Sequence, residues 1–315
     1  MEALRLHNHD GKSENLIYEE APAPLLEAGD ALVRVRGCAI TISELTWSEV
    51  HQAGDGSKRD FVIPGHEISG VIETVAGDVN GFKAGDEIYA LVDFHLAGAA
   101  AEFVAIPAAD LALKPRTLNF TGAAAVPLAG LTAWQALFDH AGISSGQKIL
   151  IHGAAGGVGS FAVQFARWAG AFVICTAQGK DEEFLRELGA DEVIDYEKTA
   201  FEQVVTNVDV VFDTIGGETL EKSWRVVRPE GTLVTVHTAA PGENPVAKAA
   251  DWGMRGVYFI VKPNRGQLSE IGRIIDEGKV KPSIDRIYPI AEGRAAFERL
   301  ESKSNKRGKI VLQIN

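Results

Sequence analysis

Cysteine is scarce: the 315 residues hold two, Cys38 and Cys175. Two thiols cannot build a disulfide framework or a multi-cysteine zinc lobe, and so low a count suits a reducing compartment. Positive charge is also short. Lys and Arg total 31 against 43 Asp and Glu, a net charge of −12, so phosphate backbones and anionic lipid are repelled and nucleic-acid binding is disfavoured. Long apolar runs are missing as well. The most apolar stretch, 123–134, is short and interrupted by Pro127, well under the roughly eighteen residues that would cross a bilayer. The opening Met1-Glu2-Ala3-Leu4-Arg5 lacks the basic region and apolar stretch of a secretory leader, so a cytoplasmic chain is expected. Neither an internal repeat nor a low-complexity tract occurs. Hydrophobic residues at 46% and charged residues at 23% are ordinary globular values, and the length predicts about two domains.

Up to about residue 121 the chain reads as strands and turns. Ala31-Leu-Val-Arg-Val-Arg36 alternates with period two, and 67–75 and 87–92 continue the pattern around a turn cluster at Gly77, Gly81 and Gly85. Beyond it, short apolar runs at 148–154, 171–177, 192–196, 208–215, 231–237 and 257–261 alternate with helical patterns, as in Phe161, Phe165 and Trp168 or Phe184, Leu185 and Leu188. Six such runs predict an α/β fold: a doubly wound parallel sheet covered on both faces, beside a β-rich domain. The tail offers helices at 268–277 and around 291–302 and a strand at 309–314, with the basic stretch 303–309 read as a solvated loop.

Ile149-Leu-Ile-His-Gly-Ala-Ala-Gly-Gly-Val-Gly159 runs from a predicted strand into a predicted helix and sets Ala154, Gly156 and Gly159 at the small positions of a dinucleotide fingerprint. Small residues there permit the tight turn, the approach of a pyrophosphate to backbone N–H groups, and close helix–strand packing. Ala155, Gly156, Gly157 and Val158 are the candidate phosphate contacts. An NAD site carries Asp or Glu about twenty residues further on, at the ribose 2′-hydroxyl. Between Ser160 and Gly179 no acidic residue occurs; Thr176, Gln178 and Lys180 stand there instead, donors suited to a 2′-phosphate. The expected cofactor is NADP.

His66 and Glu67 stand in tandem, but a catalytic zinc needs three protein ligands and no thiol partner lies near Cys38, so both are read as hydrogen-bonding inside a turn, with no metal. Tyr258-Phe-Ile-Val-Lys262 spells a tyrosine–lysine acid/base pair that works only on a helix, and its apolar β-type run before Pro263 argues coincidence. Asp213, ahead of Gly216-Gly217, reads as a turn-capping group, and the five tryptophans as packing.

Ile63-Pro-Gly-His-Glu-Ile-Ser-Gly70 and Phe82-Lys-Ala-Gly-Asp-Glu-Ile-Tyr89 resemble the GroES-like domain of the medium-chain dehydrogenase/reductase superfamily. The stretches 123–137, 152–159, 188–196, 212–217 and 308–312 resemble its zinc-independent quinone oxidoreductase branch, so the likeness covers essentially the whole chain. It implies a GroES-like catalytic domain at 1–121 and 264–315, with a Rossmann NADP-binding domain at 122–263 inserted in it. It further implies cofactor contacts at Thr132, at Gly156 to Val158, at Thr176 with Lys180, at Tyr196, and at His237, Phe259 and Val261 on the nicotinamide side. Thr41 stands where many quinone reductases carry a substrate-pocket Asn. Zinc-type alcohol dehydrogenases of the superfamily would place metal ligands at Thr41, His66 and Leu128, and two of these three cannot serve. The tyrosines proposed in relatives as proton donors are replaced around Thr46 and Trp47, leaving the catalytic acid unknown. The implied activity is NADPH-dependent hydride transfer to a quinone or an α,β-unsaturated carbonyl, in a homodimer paired through the sixth strand. The alternatives are a zinc-type alcohol dehydrogenase with atypical ligands and a non-catalytic NADPH-binding sensor or scaffold.

Overall fold

In a computed structural model, residues 1–8, 10–237, 244, 246–302 and 306–315 are described. The chain divides into two units, one of Met1–Leu131, Lys262–Gly278 and Pro282–Asn315, the other of Thr132–Val261 with Lys279–Lys281.

The first unit opens with a two-stranded ribbon, β1 (Glu2–Leu6) against β2 (Leu16–Glu20). Then come β3 (Asp30–Ile40), β4 (Glu67–Val75), β5 (Glu87–Leu91), β6 (Phe103–Pro107) and β7 (Ala112–Leu113). Along β3 the alternation of Ala31, Val33 and Val35 with Leu32, Arg34 and Arg36 puts the first set wholly inside, as period two requires. Helix α1 (Phe120–Ala124) starts at Asn119, whose side chain accepts from Gly122 N–H at 2.8 Å, a standard cap. Pro127, an interruption in the sequence reading, is the first residue of α2 (Pro127–Trp134), where the missing N–H costs nothing. A π-helical segment, Gln135–Ala141, extends it.

The second unit carries β8 (Lys148–His152), α3 (Gly157–Trp168), β9 (Phe172–Ala177), α4 (Glu182–Leu188), β10 (Glu192–Asp195), β11 (Val208–Asp213), α5 (Gly217–Ser223), β12 (Val227–Thr235) and β13 (Arg255–Tyr258). All pairings are parallel, in the order β10-β9-β8-β11-β12-β13, the doubly wound arrangement. Phe161 and Phe165 of α3 are buried, and Phe165 meets Trp134 edge-on at 5.4 Å, so these two pack as the periodicity implies; Trp168 at the end of the helix and Trp252 are instead exposed, at 41% and 46%, and are not core residues. The tyrosine–lysine pair is not helical: β13 ends at Tyr258, so Phe259 and Val261 lie beyond it.

The chain then returns to the first unit through α6 (Arg265–Asp276), β14 (Ile284–Pro289), α7 (Gly293–Glu301) and β15 (Lys309–Gln313). There β15 lies between β14 and β3, giving a seven-stranded sheet ordered β14-β15-β3-β4-β5-β7 with β6 also on β3. This placement overturns one expectation. Lys309 does not belong to a solvated loop: its side chain is 6% exposed. Of the same basic stretch, 303–305 lie outside the described residues.

Candidate functional site

In the second unit, the sheet order reverses between β8 and β11, where α/β folds bind ligands. Gly153 there takes φ +70°, and a Cβ on it would overlap Thr214, whose hydroxyl donates to His152 C=O at 2.9 Å. The left-handed position is thus Gly153; Ala154 keeps an ordinary φ and is fully buried. Gly156 N–H donates to Gly153 C=O at 3.0 Å and closes the turn, and a Cβ on Gly159 would overlap that same carbonyl and the Ala154 Cα. Ala155, Gly156, Gly157 and Val158 remain half-buried at the start of α3, with its unsatisfied N–H groups and positive dipole end. Such a turn could hold a pyrophosphate on backbone N–H groups, and its residues fit a dinucleotide.

Under the cradle lies a buried polar chain that the sequence did not announce. The Ser223 hydroxyl donates to Thr219 C=O at 2.7 Å, so His152 donates to Ser223 Oγ through Nε2 at 3.0 Å and accepts from Thr176 Oγ1 through Nδ1 at 2.8 Å. Burial lowers the His152 pKa to about 3, so the ring is neutral. The Thr176 hydroxyl is therefore engaged by His152. At the end of β9, Gln178 is half-buried and donates to Glu197 at 3.0 Å, Lys180 is exposed, and Tyr196 is 55% exposed. Carboxylates enter here from the neighbouring strand, with Asp195 paired to Lys198 at 2.7 Å. They lie outside 160–179 in sequence and reach this strand end only through the pairing of β10 with β9, which sets Asp195 opposite Ala177.

Thr132 is buried on α2, His237 is exposed past β12, and Val261 is buried. Phe259 packs on the His140 ring with centroids 4.4 Å apart. Asp213 does cap the turn: it accepts from Ile215 and Gly216 N–H at 3.1 and 3.0 Å and from Thr235 Oγ1 at 2.9 Å. Burial pushes its carboxyl up from the ordinary range, and these donors oppose the shift.

In the first unit, a second constellation forms where β15, β3 and β4 lie side by side. Antiparallel pairing sets Ile310 opposite Ile40 and Glu67 opposite Ala39, so Lys309, Thr41 and Glu67 meet at one end of three strands. Lys309 Nζ donates to Thr41 Oγ1 at 2.7 Å and pairs with the Glu67 carboxylate, whose other oxygen accepts from Leu128 N–H at 3.1 Å. Burial pushes the Glu67 carboxyl up from its ordinary range, while the ammonium of Lys309 pulls it back. Glu44 is the tie that the sequence concealed. One oxygen accepts from Thr41 N–H at 3.1 Å; the other accepts from Gly65 N–H at 2.6 Å and from His66 Nδ1 at 2.8 Å. The turn it closes holds Ser43 at φ 63°, a left-handed strain for a residue with a Cβ. His66 hydrogen-bonds as expected, but deep inside; Glu67 opens a strand rather than lying in a turn. Burial also drives the Cys38 thiol well above its usual range, so it is no nucleophile.

The donors here do not suit a catalytic zinc. Three protein ligands are needed. His66 keeps Nε2 without a hydrogen-bond partner, but the Thr41 oxygen is taken by an ammonium, whose charge opposes a dication, and Leu128 offers only a carbon side chain. Among the described residues, no group of three His, Cys, Asp or Glu converges to hold a metal.

Comparison with known proteins agrees with this architecture. Residues 27–116 match the alcohol dehydrogenase GroES-like domain, and residues 188–312 match the zinc-binding dehydrogenase family. A probable zinc-binding oxidoreductase, mitochondrial, of Arthroderma benhamiae is 32% identical over 93% of this chain and 91% of that protein. An NADPH-dependent alkenal/one oxidoreductase, chloroplastic, of Arabidopsis thaliana is 35% identical over 79% of this chain and 63% of its own length. The solved structure of the quinone oxidoreductase from Coxiella burnetii superposes with a TM-score of 0.92 at 28% identity, covering 100% of this chain and 99% of that one. The chain belongs to the medium-chain dehydrogenase/reductase superfamily of oxidoreductases, with a GroES-like domain and a Rossmann-type parallel-sheet domain.

Proposed function

We propose that this chain is an NADPH-dependent reductase of quinones or α,β-unsaturated carbonyls that works without zinc. The observation that carries the reading is the Thr41–Lys309–Glu67 cluster, which sets an ammonium against Thr41, one of the three positions where the resemblance to zinc-type alcohol dehydrogenases implies a metal ligand. A simple ketone or aldehyde needs a Lewis acid or a well-placed proton donor on its oxygen to accept hydride readily, whereas a conjugated acceptor spreads the incoming charge over a longer π-system. The names of the Arabidopsis and Coxiella relatives, an alkenal/one oxidoreductase and a quinone oxidoreductase, support the same class.

Bound NADPH would supply the hydride. The chain's own part is to hold it. Ala155, Gly156, Gly157 and Val158 would bind the pyrophosphate through backbone N–H groups, with Thr132, His237, Phe259 and Val261 flanking the nicotinamide. Gln178, Lys180 and Tyr196 would meet the adenosine end. Lys180 supplies the cation a 2′-phosphate favours, and Thr176 orders the strand end through His152. Thr41 would bind the acceptor oxygen. Water protonates the product carbon in this reading. A homodimer joined along β13 belongs to it as well, because that strand ends the parallel sheet and Ile260 beside it is 50% exposed. A cytoplasmic setting is supported by the two free, buried thiols.

The test is a panel of quinones, enones and simple aldehydes assayed with NADPH and NADH side by side. The expected result is turnover of conjugated acceptors with NADPH preferred. Brisk reduction of simple aldehydes with no turnover of any quinone or enone would overturn the assignment.

A further inference from the structure

Lys309 is a buried cation, held between the Glu67 carboxylate and the Thr41 hydroxyl. Placing it costs the fold something: Gly308 must take φ +78°, and a Cβ there would overlap Ser283 C=O, the group that accepts from Lys309 N–H at 2.9 Å. Glycine is thus required one residue ahead, so that the strand can start with its lysine turned inward. Glu67, itself fully buried, supplies the counter-charge. A buried ion pair contributes little to stability over an apolar pair of the same volume, so its presence calls for another reason.

Its geometry supplies one. An ammonium only donates, so in the 2.7 Å contact Thr41 Oγ1 is the acceptor. One lone pair of the hydroxyl is occupied, and the adjacent positive charge weakens the other as an acceptor. What remains strong is the hydroxyl proton. Thr41 is partly exposed, and its backbone is fixed by Glu44, so this proton is presented from a held position. The sequence carboxylate, ammonium, hydroxyl also forms a polarised chain in which each bond strengthens the next.

We propose that Lys309 is a positioning residue that, anchored by Glu67, makes the Thr41 hydroxyl a dedicated hydrogen-bond donor to an oxyanion. The proposal rests on the enone or quinone reading for its role in turnover. With an enone, hydride forms a C–H bond at the β-carbon, the C=C π pair moves toward the carbonyl oxygen, and a proton from water completes the product at the α-carbon; with a quinone, the proton from water ends on oxygen and the product is the hydroquinone. The negative charge that appears on oxygen meanwhile is what the Thr41 proton stabilises. The ammonium's charge serves that oxygen through Thr41, while Glu67 keeps the pair neutral overall.

The experiment uses 4-nitrophenolate, a conjugated oxyanion whose absorbance reports binding, titrated into the purified full chain, together with steady-state reduction of an enone. Because Lys309→Met alone leaves Glu67 buried and unpaired, the charge-balanced Lys309→Met/Glu67→Gln pair is used, with thermal melts confirming the fold of every variant. Thr41→Val and the charge-balanced pair should each weaken nitrophenolate by about 10–100-fold, the range of a hydrogen bond to a charged group, and Thr41→Ser should stay within about threefold. All three changes together should weaken it no more than Thr41→Val, the signature of one residue acting through another. In turnover, kcat should fall in the same order with KM for NADPH unmoved. Additive losses, equal binding by Thr41→Val and wild type, or no wild-type binding of nitrophenolate would overturn the proposal. If nitrophenolate binding follows the predicted pattern while no enone or quinone is reduced, the positioning role stands and the proposed activity falls. If Thr41→Val reduces enones at the wild-type rate, the activity stands and the positioning role falls.

Discussion

The glycine cradle and the strand-end cluster are built on opposite principles. Residues 153–159 form one continuous turn that offers backbone N–H groups, and its shape depends on side chains being absent: a Cβ at Gly153 or Gly159 has nowhere to go. Lys309, Thr41 and Glu67 form a cluster of side chains at the ends of three strands, with the lysine 268 positions along the chain from the threonine it touches. A backbone site tolerates chemical variety and fails by steric intrusion. A side-chain site tolerates small changes of shape and fails by loss of charge or a proton.

That contrast can be broken in graded ways. The largest effect is expected from Lys309→Met, which strands the Glu67 carboxylate in the core. Chemical denaturation should show a loss of about 3–5 kcal/mol, most of it restored by adding Glu67→Gln. A loss under about 1 kcal/mol would mean the pair is not buried as described. Gly159→Ala comes next. Its Cβ overlaps Gly153 C=O, so the turn must open at a cost of about 1–3 kcal/mol, and NADPH binding followed by fluorescence should weaken with nitrophenolate binding untouched. Loss of nitrophenolate binding in this variant would erase the distinction between the two regions.

Acid should separate the regions too. His152 is neutral in the fold with a pKa of about 3 and ionises near 6.5 when unfolded. The unfolded chain therefore binds the extra proton first, and stability present above about pH 6.5 is lost as pH falls toward 3, by up to about 1.4 kcal/mol per pH unit. Glu67 has the opposite sign: its raised pKa makes any contribution present at low pH and lost as pH rises past the ordinary carboxylate range. Denaturation curves of His152→Gln across pH 4–7 should be flatter than wild type. The smallest effect belongs to Lys180→Gln on the exposed rim, where affinity for NADPH should fall about three- to tenfold and that for NADH should not change.

The same contrast governs what could be read from sequence. The cradle was legible because strand, small residues and helix are contiguous, though the positive φ proved to sit at Gly153, one residue before the fingerprint's first small position. Parallel strands were legible from their apolar runs. β1, β2, β6 and β14 were not, since short, partly exposed strands carry little periodicity. Pro127 read as a break because a helix start and a helix interruption look alike when one helix, ending at Ala124, is followed so closely by the next. In sequence Lys309 looks like the end of a solvated basic tract, yet its side chain is buried. Nothing local marks it as buried except Gly308, because its surroundings come from β3 and β4. Glu44 was invisible for the same reason, its partners lying at Thr41, Gly65 and His66. Long-range side-chain sites declare themselves only after the sheet is assembled.

The most direct test of metal-independent reduction is NADPH oxidation by enone after exhaustive chelation. Chelated protein should reduce the enone at the rate of untreated protein, with added zinc giving no gain. Activity that disappears with chelator and returns with stoichiometric zinc would contradict the account.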